Sequence, residues 1–227
     1  MSGGSGVGGG SGVGSGSGVD GGSGAGLLGR SVRFSGRIAG FGTASGTRIV
    51  VGMWQRSPFG SFADLMVEDA TGHRTLFAPT PETADFIAST YSFDEVRIEP
   101  VSVERGAEWS VHTRSLQVRF TPGKALWVSP VLGLVPGWLR RTPVWARICN
   151  PFASRLMPGV RTYGSAGGGR TEWYAARHVR HLTDARATWE GAELGELAPV
   201  SPAVRFGFAS SPALPTLTSL TSYVREA

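Results

Sequence analysis

Six runs of this chain place an apolar or small residue at every second position. They are Val32, Phe34, Gly36 and Ile38; Ile49, Val51 and Met53; Ala63, Leu65 and Val67; Val96 and Ile98; Leu116, Val118 and Phe120; and Val204, Phe206 and Phe208. Side chains alternate faces along a strand, so each run presents one buried face, while residues such as Arg33, Ser35 and Arg37 occupy the other. Alternation of this kind marks sheets with one wet face, which are typically antiparallel. Turn sequences at Gly42 to Gly46, Thr71-Gly72 and Arg105-Gly106 separate the runs at hairpin spacing. The pattern predicts an α+β fold that is mostly antiparallel β, a curved sheet or barrel-like arrangement of about nine short strands.

Helical signals interrupt the alternation in two places. Thr80-Pro81-Glu82 supplies a cap, a proline at the first helical position and an early acid, followed by Ala84, Phe86, Ile87 and Tyr91, so a helix is expected near residues 80–92. Between 129 and 157 the cap-then-proline signal occurs at Ser129-Pro130, Thr142-Pro143 and Asn150-Pro151. A proline can begin a helix but breaks one already running, which predicts three short helices there. On a helical wheel Val144, Trp145, Ile148, Cys149, Phe152 and Leu156 share one side and Arg147, Asn150 and Ser154 the other. That apolar side is expected to pack against the sheet, with the arginines facing water.

The chain has 227 residues. Residues 1–29 form a Gly/Ser-rich head with a six-residue repeat (GSGVGG, GSGVGS, GSGVDG, GSGAGL), whose thin apolar content cannot offset the conformational entropy of glycine. It is expected to be disordered, as a tether or an extension without function, and lacks the basic and apolar regions of a secretory signal. Residues 30–227 then read as a single mostly-β globular domain with a helical insertion at 129–157.

Charge is unevenly distributed. Lys124, Arg140, Arg141, Arg147, Arg155, Arg161, Arg170, Arg177 and Arg180 face one acid, Glu172, within 124–180, in a chain whose net charge is +5. Trp127, Trp138, Trp145 and Trp173, four of the seven tryptophans, lie in the same stretch. The preference for arginine over the single lysine is what high-GC coding produces without selection, but codon bias does not explain why acids vanish from 124 to 171. A membrane-surface contact would use the apolar run Leu126 to Leu139, with Trp138, Arg140 and Arg141 at the interface. At about 14 residues against the ~20 a spanning helix needs, and with Pro130 and Pro136 inside it, the run predicts no transmembrane span. The same arginines could meet nucleic acid, but no recognised module accompanies them, which makes a nucleic-acid partner the weaker expectation.

No sequence constellation amounts to a catalytic centre. The glycines from Gly40 to Gly46 precede a β-branched run, so they read as a hairpin turn rather than a phosphate cradle. Gly164 to Gly169 reads as a flexible hairpin, with Arg161 and Arg170 beside it as candidate anion partners. Asp64 and Glu68 fall on one side of a predicted strand, about 13 Å apart, beyond either usual glycosidase separation. They belong to a row Phe62, Asp64, Met66, Glu68, which reads as a solvent face, or else as the lining of a ligand cavity in a curved sheet. His178, His181 and Asp184 could share a metal only on a helix, and no cysteine or HExxH partner is present, so neither a metal nor a cofactor is expected. Cys149, the single cysteine, excludes an internal disulfide and reads as an inert buried thiol, and Lys124 as a solvent turn residue.

The segments GMWQRSPFGSFADLMVE from Gly52, PGVRTYGSAGGGRTEWY from Pro158 and VRFGFASSP from Val204, with the arginine usage, resemble uncharacterised proteins of high-GC actinobacteria over roughly residues 31 to 225. The resemblance implies a natural bacterial protein and carries over no functional residue. The expectation is a cytoplasmic, non-catalytic binding or structural protein that holds a small molecule in a β-sheet cavity, with Arg56, Asp64, Glu68, Arg161 and Arg170 as ligand or anion contacts. The two alternatives are an enzyme built on Asp64, Glu68 and Arg56, and a peripheral membrane protein touching an anionic surface through 126–147.

Overall fold

A computed structural model describes Gly3 and residues 31–156, 160–207 and 211–226. The Gly/Ser-rich head apart from Gly3, residue Phe208 and the Phe152 side chain lie outside the described residues.

The first alternating run becomes β1 (Ser31–Thr43), and a turn at 44–47 returns the chain as β2 (Arg48–Arg56). Hairpins continue into β3 (Phe62–Glu68) and β4 (Arg74–Ala78). Helix α1 (Pro81–Ala88) then crosses over the sheet, so that β5 (Glu95–Ile98) pairs with β4 in parallel. Its start is fixed by a reciprocal cap: the Thr83 amide donates to Thr80 Oγ1 at 3.3 Å and the Thr80 amide to Thr83 Oγ1 at 3.2 Å. A meander follows, β6 (Ser102–Arg105), β7 (Trp109–His112) and β8 (Leu116–Ala125). Three helices come next, α2 (Val128–Leu134), α3 (Gly137–Arg140) and α4 (Pro143–Leu156). The chain closes with β9 (Tyr163–Ser165), β10 (Arg170–Trp189), β11 (Ala192–Glu193), β12 (Leu197–Ala198) and β13 (Thr216–Glu226).

These strands form one sheet in the order β5-β4-β3-β2-β1-β13-β10-β8-β7-β6, curled into a half-barrel, with β11 and β9 on β10 and β12 on β1. The fold is α+β and mostly β, as the alternation predicts. The described residues hold 13 strands rather than about nine. Three of the additional strands are only two or three residues long, but β13 is central, pairing with β1 on one side and β10 on the other. Its two faces, Thr218, Leu220, Ser222, Val224 and Leu217, Ser219, Thr221, Tyr223, each mix apolar and hydroxyl side chains, so no period-two contrast marks it. The run beginning at Val204 is not a strand: residues 204–207 are irregular, and Val204 and Phe206 pack beneath α1.

The curl is filled on the inside. Ala39, Phe41, Val51, Leu65 and Phe77 meet Val118, Phe120, Leu182 and Ala187 across it, with Trp189 edge-on to Phe77 at 5.9 Å. The outer face of β2 to β4 is covered as well, where Val50, Met66 and Leu76 lie under Ala84, Ile87 and Phe206. A sheet segment buried on both faces positions everything described below.

The helical insertion divides differently from its proline signals. Thr142 does cap α4, accepting from the Trp145 amide at 3.2 Å, and Pro143 opens the helix. Pro151 lies inside α4 instead of beginning a helix, because the Asn150 carboxamide is committed elsewhere, accepting from the Thr162 amide at 2.9 Å. Ala146 is buried, and its carbonyl accepts from the Thr162 hydroxyl at 2.7 Å. The small and polar side of α4 therefore faces β9, while Val144 and Ile148 are exposed, opposite to the packing expected from the helical wheel. Thr121 to Lys124 is part of β8 rather than a turn, its irregularity absorbed by register shifts against β10.

Candidate functional site

The row Phe62, Asp64, Met66, Glu68 on β3 does not face solvent. It points to the outer side of the sheet, where α1 and the 204–206 segment cover it, and Asp64 is 1% exposed and Glu68 0%. Asp64 Oδ1 accepts from Trp54 Nε1 at 2.8 Å. Gly52 sits opposite Asp64 in register, and a Cβ there would lie 2.4 Å from Asp64 Oδ1 and 2.8 Å from Trp54 Nε1, so only glycine leaves room for this bond. Burial in an apolar site disfavours the carboxylate, and although the tryptophan bond works against it, the Asp64 carboxyl is pushed up to about 6.

A second acid reaches the same space from β10. Glu172 is 2% exposed, and its oxygens accept from the Ser222 hydroxyl at 2.7 Å and the Tyr91 hydroxyl at 2.7 Å. Burial raises its pKa, opposed by bonds from Tyr91, Ser222 and Tyr174. The Tyr91 and Tyr174 hydroxyls stand 3.5 Å apart, and burial of their tips, followed by the nearby Glu172 charge, holds both phenols well above their ordinary range. Tyr91 is brought here by the end of α1, which Arg170 ties to β10: its guanidinium donates to Ser89 Oγ at 2.6 Å and Thr90 Oγ1 at 2.9 Å and lies 5.2 Å above the Phe86 ring.

Asp64, Glu172, Tyr91 and Tyr174 line a cavity of about 50 Å³ walled by Phe34, Phe62 and Phe86. A second cavity of about 130 Å³ adjoins it beneath α2, lined by Val128, Leu132, Val179 and Leu220. Ile38, Tyr174 and Ser211 belong to both. The Ser211 hydroxyl is buried without a hydrogen-bond partner among the described residues, at the junction of the two spaces. Gly40 makes room for it, since a Cβ there would come within 2.1 Å of Ser211 Oγ. A buried hydroxyl with no partner is costly, and a ligand that bonded to it would relieve that cost. Chemically, the site keeps a proton on Asp64 up to about pH 6, well above the ordinary carboxyl range, next to apolar walls and two neutral phenols.

The remaining sequence candidates do not join this site. Glu68 lies on the same row but is closed into an ion network, 3.0 Å from Arg48 Nη2 and 2.8 Å from Arg205 Nε. Arg56 is exposed and lines a cleft away from the cavity, so Asp64, Glu68 and Arg56 are not brought together. Arg170 is engaged as described, and Arg161 lines the mouth of the second cavity. Arg140 is half-buried with Nη1 donating to the Leu132 carbonyl at 2.9 Å, whereas Trp138 and Arg141 are exposed. His178, His181 and Asp184 lie on strand β10, and His181 Nδ1 is 2.9 Å from the Lys124 carbonyl oxygen. Cys149 is half-buried, and burial raises its thiol.

Sequence reasoning missed Gly52, Trp54, Tyr91, Glu172, Tyr174 and Ser211. One signal was present: Glu172 is the lone acid of the basic stretch, and Glu172, Tyr174 and Ala176 alternate on one face of a strand.

No family model matches the chain, and no curated protein does. A solved structure from Nitrosomonas europaea described as a "putative AttH" is similar at 13% identity, covering 85% of this chain and 38% of that one, with a TM-score of 0.25. The chain thus spans well under half the length of that protein, and a likeness of this level carries nothing about function.

Proposed function

We propose that the protein binds a small, mostly apolar molecule in the paired cavities on the outer face of its sheet and fixes one acceptor atom of it by hydrogen bonding. The observation that carries this reading is the buried Ser211 hydroxyl, without a hydrogen-bond partner among the described residues, where the two cavities meet, with the Asp64 carboxyl, protonated below about pH 6, in the smaller one. A space of about 130 Å³ is close to the ~150 Å³ engineered cavity that takes up benzene. The ligand is therefore of one-ring or short-chain size, with a hydroxyl or carbonyl oxygen. Calorimetric titration with acetophenone, which has one ring and one carbonyl, should show saturable binding at pH 5. Binding should weaken by up to about tenfold at pH 8, as Asp64 loses the proton it donates. Leu132→Trp, which fills the larger cavity from α2, should abolish it. Absence of saturable heat, or binding that survives Leu132→Trp unchanged, overturns the reading.

A second reading, contact with an anionic membrane surface through 126–147, is favoured by the exposed apolar side chains of the insertion. Trp127, Leu134, Trp138 and Val144 are all more than half exposed, beside exposed Arg141 and Arg147. No helix among the described residues is long and apolar enough to cross a membrane. Because Arg140 is held by Leu132, the informative variant is Trp138→Ser with Arg141→Glu and Arg147→Glu. Co-sedimentation with phosphatidylglycerol vesicles should fall about tenfold or more in that variant, and wild type should release at high salt. Wild type that stays in the supernatant refutes the contact.

A further inference from the structure

The inner face of the half-barrel changes character along β1. Ala39 and Phe41 belong to the filled core, but Arg37, Ser35 and Arg33 continue the same side of the strand toward its start. The neighbouring strands change with it. On β13 the side that carries Leu217 goes on to Ser219, Thr221 and Tyr223, and on β2 Met53 gives way to Gln55. The result is a cleft of about 440 Å³ into which Arg33, Arg37, Arg56, Arg141 and Arg177 all open.

No acidic residue lines this cleft, and none of the five arginines forms an ion pair among the described residues. Some arginines elsewhere are matched to acids, Arg48 and Arg205 to Glu68, Arg74 to Asp94, Arg97 to Glu95 and Glu190, whereas here five open into one cleft that no acid lines. Codon bias accounts for the number of arginines but not for the convergence of five of them on one cleft without an acid.

The unpaired set is held in place. The Arg37 guanidinium lies 5.4 Å above the Trp109 ring, and Arg177, projecting from the register shift in β10, donates to Thr221 Oγ1 at 3.1 Å. The Arg141 carbonyl accepts from Trp173 Nε1 at 3.1 Å, which fixes the backbone of that residue beside β10. The charge of Arg37 is disfavoured, first by burial and then by Arg105 across Trp109, so an arriving anion relieves a cost already present in the fold.

We propose that this cleft is a binding site for a phosphate-bearing small anion, a phosphate ester or diphosphate, distinct from the apolar cavities on the opposite face of the sheet. A carboxylate brings one charge and two acceptor atoms, whereas each terminal phosphate brings a charge of about −1.5 to −2 and three acceptors, matching several convergent guanidinium forks. Ser35, Ser219, Thr221 and Tyr223 add hydroxyl donors to the same walls.

Inorganic pyrophosphate, titrated calorimetrically into the full chain at low salt, tests this. Wild type should bind it at a single class of site, with affinity falling as salt is raised. Arg37→Gln with Arg177→Gln should weaken binding by about tenfold or more, which corresponds to about 1.4 kcal/mol. Arg56→Gln with Arg141→Gln, at exposed positions, should weaken it severalfold and keeps the test valid if loss of the Arg37 stacking impairs folding. Arg119→Gln with Arg186→Gln removes the same charge from exposed positions outside the cleft and should leave binding unchanged. Vesicles containing phosphatidic acid form the second arm, to separate a lipid headgroup from a free phosphate. No saturable pyrophosphate binding, an equal loss in the Arg119 and Arg186 control, or binding of vesicles without pyrophosphate each overturns the proposal.

Discussion

Replacing Glu68 with glutamine is expected to destabilise the protein by about 3–5 kcal/mol, the range found when one partner of a buried ion pair is removed. Glu68 is fully buried and Arg48 nearly so. The carboxylate takes Arg48 Nη2 at 3.0 Å, Arg205 Nε at 2.8 Å and the Arg205 amide at 2.7 Å. Arg48 has little else: Nη2 also donates to the Asp69 carbonyl at 3.1 Å, and its Nε has no partner among the described residues. Glutamine keeps the volume but leaves the Arg48 cation buried without a counter-charge. For a chain of this length the loss corresponds to a fall in Tm of roughly 6–20 °C, measurable by tryptophan fluorescence during heating or urea titration. The double variant Arg48→Met, Glu68→Leu should recover most of the loss, because removing both charges removes the desolvation cost as well. The effect is not confined to stability. The bonds to Arg205 pin the segment that carries Phe206 over the outer core, so Glu68→Gln should also speed proteolysis within 199–207. A Glu68→Gln protein within about 1 kcal/mol of wild type would mean that the network is not the anchor its geometry indicates.

How much of this was legible depends on contrast along the chain. The strands β1 to β3 and β8 carry apolar residues on one side and visibly different ones on the other, and the Thr80-Pro81-Glu82 start of α1 is an unambiguous local signal. Strand β13 offers no contrast, because its inner face passes from core to arginine cleft and its outer face lines both cavities, and each of those environments accepts hydroxyls. The acidic row on β3 was visible as a row, but its surroundings were not. Whether Asp64 meets water or protein depends on α1 and on residues 204–206, which come more than a dozen and well over a hundred positions later. The same applies to the arginines. Their excess is plain in the sequence, yet the five that converge come from β1, β2, β10 and the end of α3, and only the sheet order β2-β1-β13-β10 brings them to one cleft. The wheel of α4 misled for a related reason: amphipathicity shows which side is apolar, but Asn150 and Ala146 bond to Thr162 and turn the other side inward.

Asp64→Asn is expected to stabilise the protein above neutral pH. The Asp64 carboxyl is raised from an ordinary 3.8 to about 6 in the fold, so the folded state binds its proton more tightly than the unfolded chain does. A group shifted in this direction contributes stability that is fully present below pH 3.8 and is lost as the pH rises through 6. By pH 8 the loss amounts to about 3 kcal/mol at 1.36 kcal/mol per pH unit. Asparagine carries no charge and retains an oxygen for Trp54 Nε1, so the variant should lie within about 1 kcal/mol of wild type near pH 4 and exceed it by on the order of 2 kcal/mol at pH 8. Glu172, Tyr91 and Tyr174 face the same cavity. Glu172 is shifted in the same direction, but it is present in both proteins and its contribution largely cancels in their difference. Urea midpoints across pH 4 to 8 provide the measurement. A difference that opens through pH 6 identifies Asp64 as the titrating group, and the pH dependence of acetophenone binding should vanish in the same variant. If the two stabilities instead run parallel across that range, the proton does not reside on Asp64, and the cavity then lacks the donor on which ligand fixation depends.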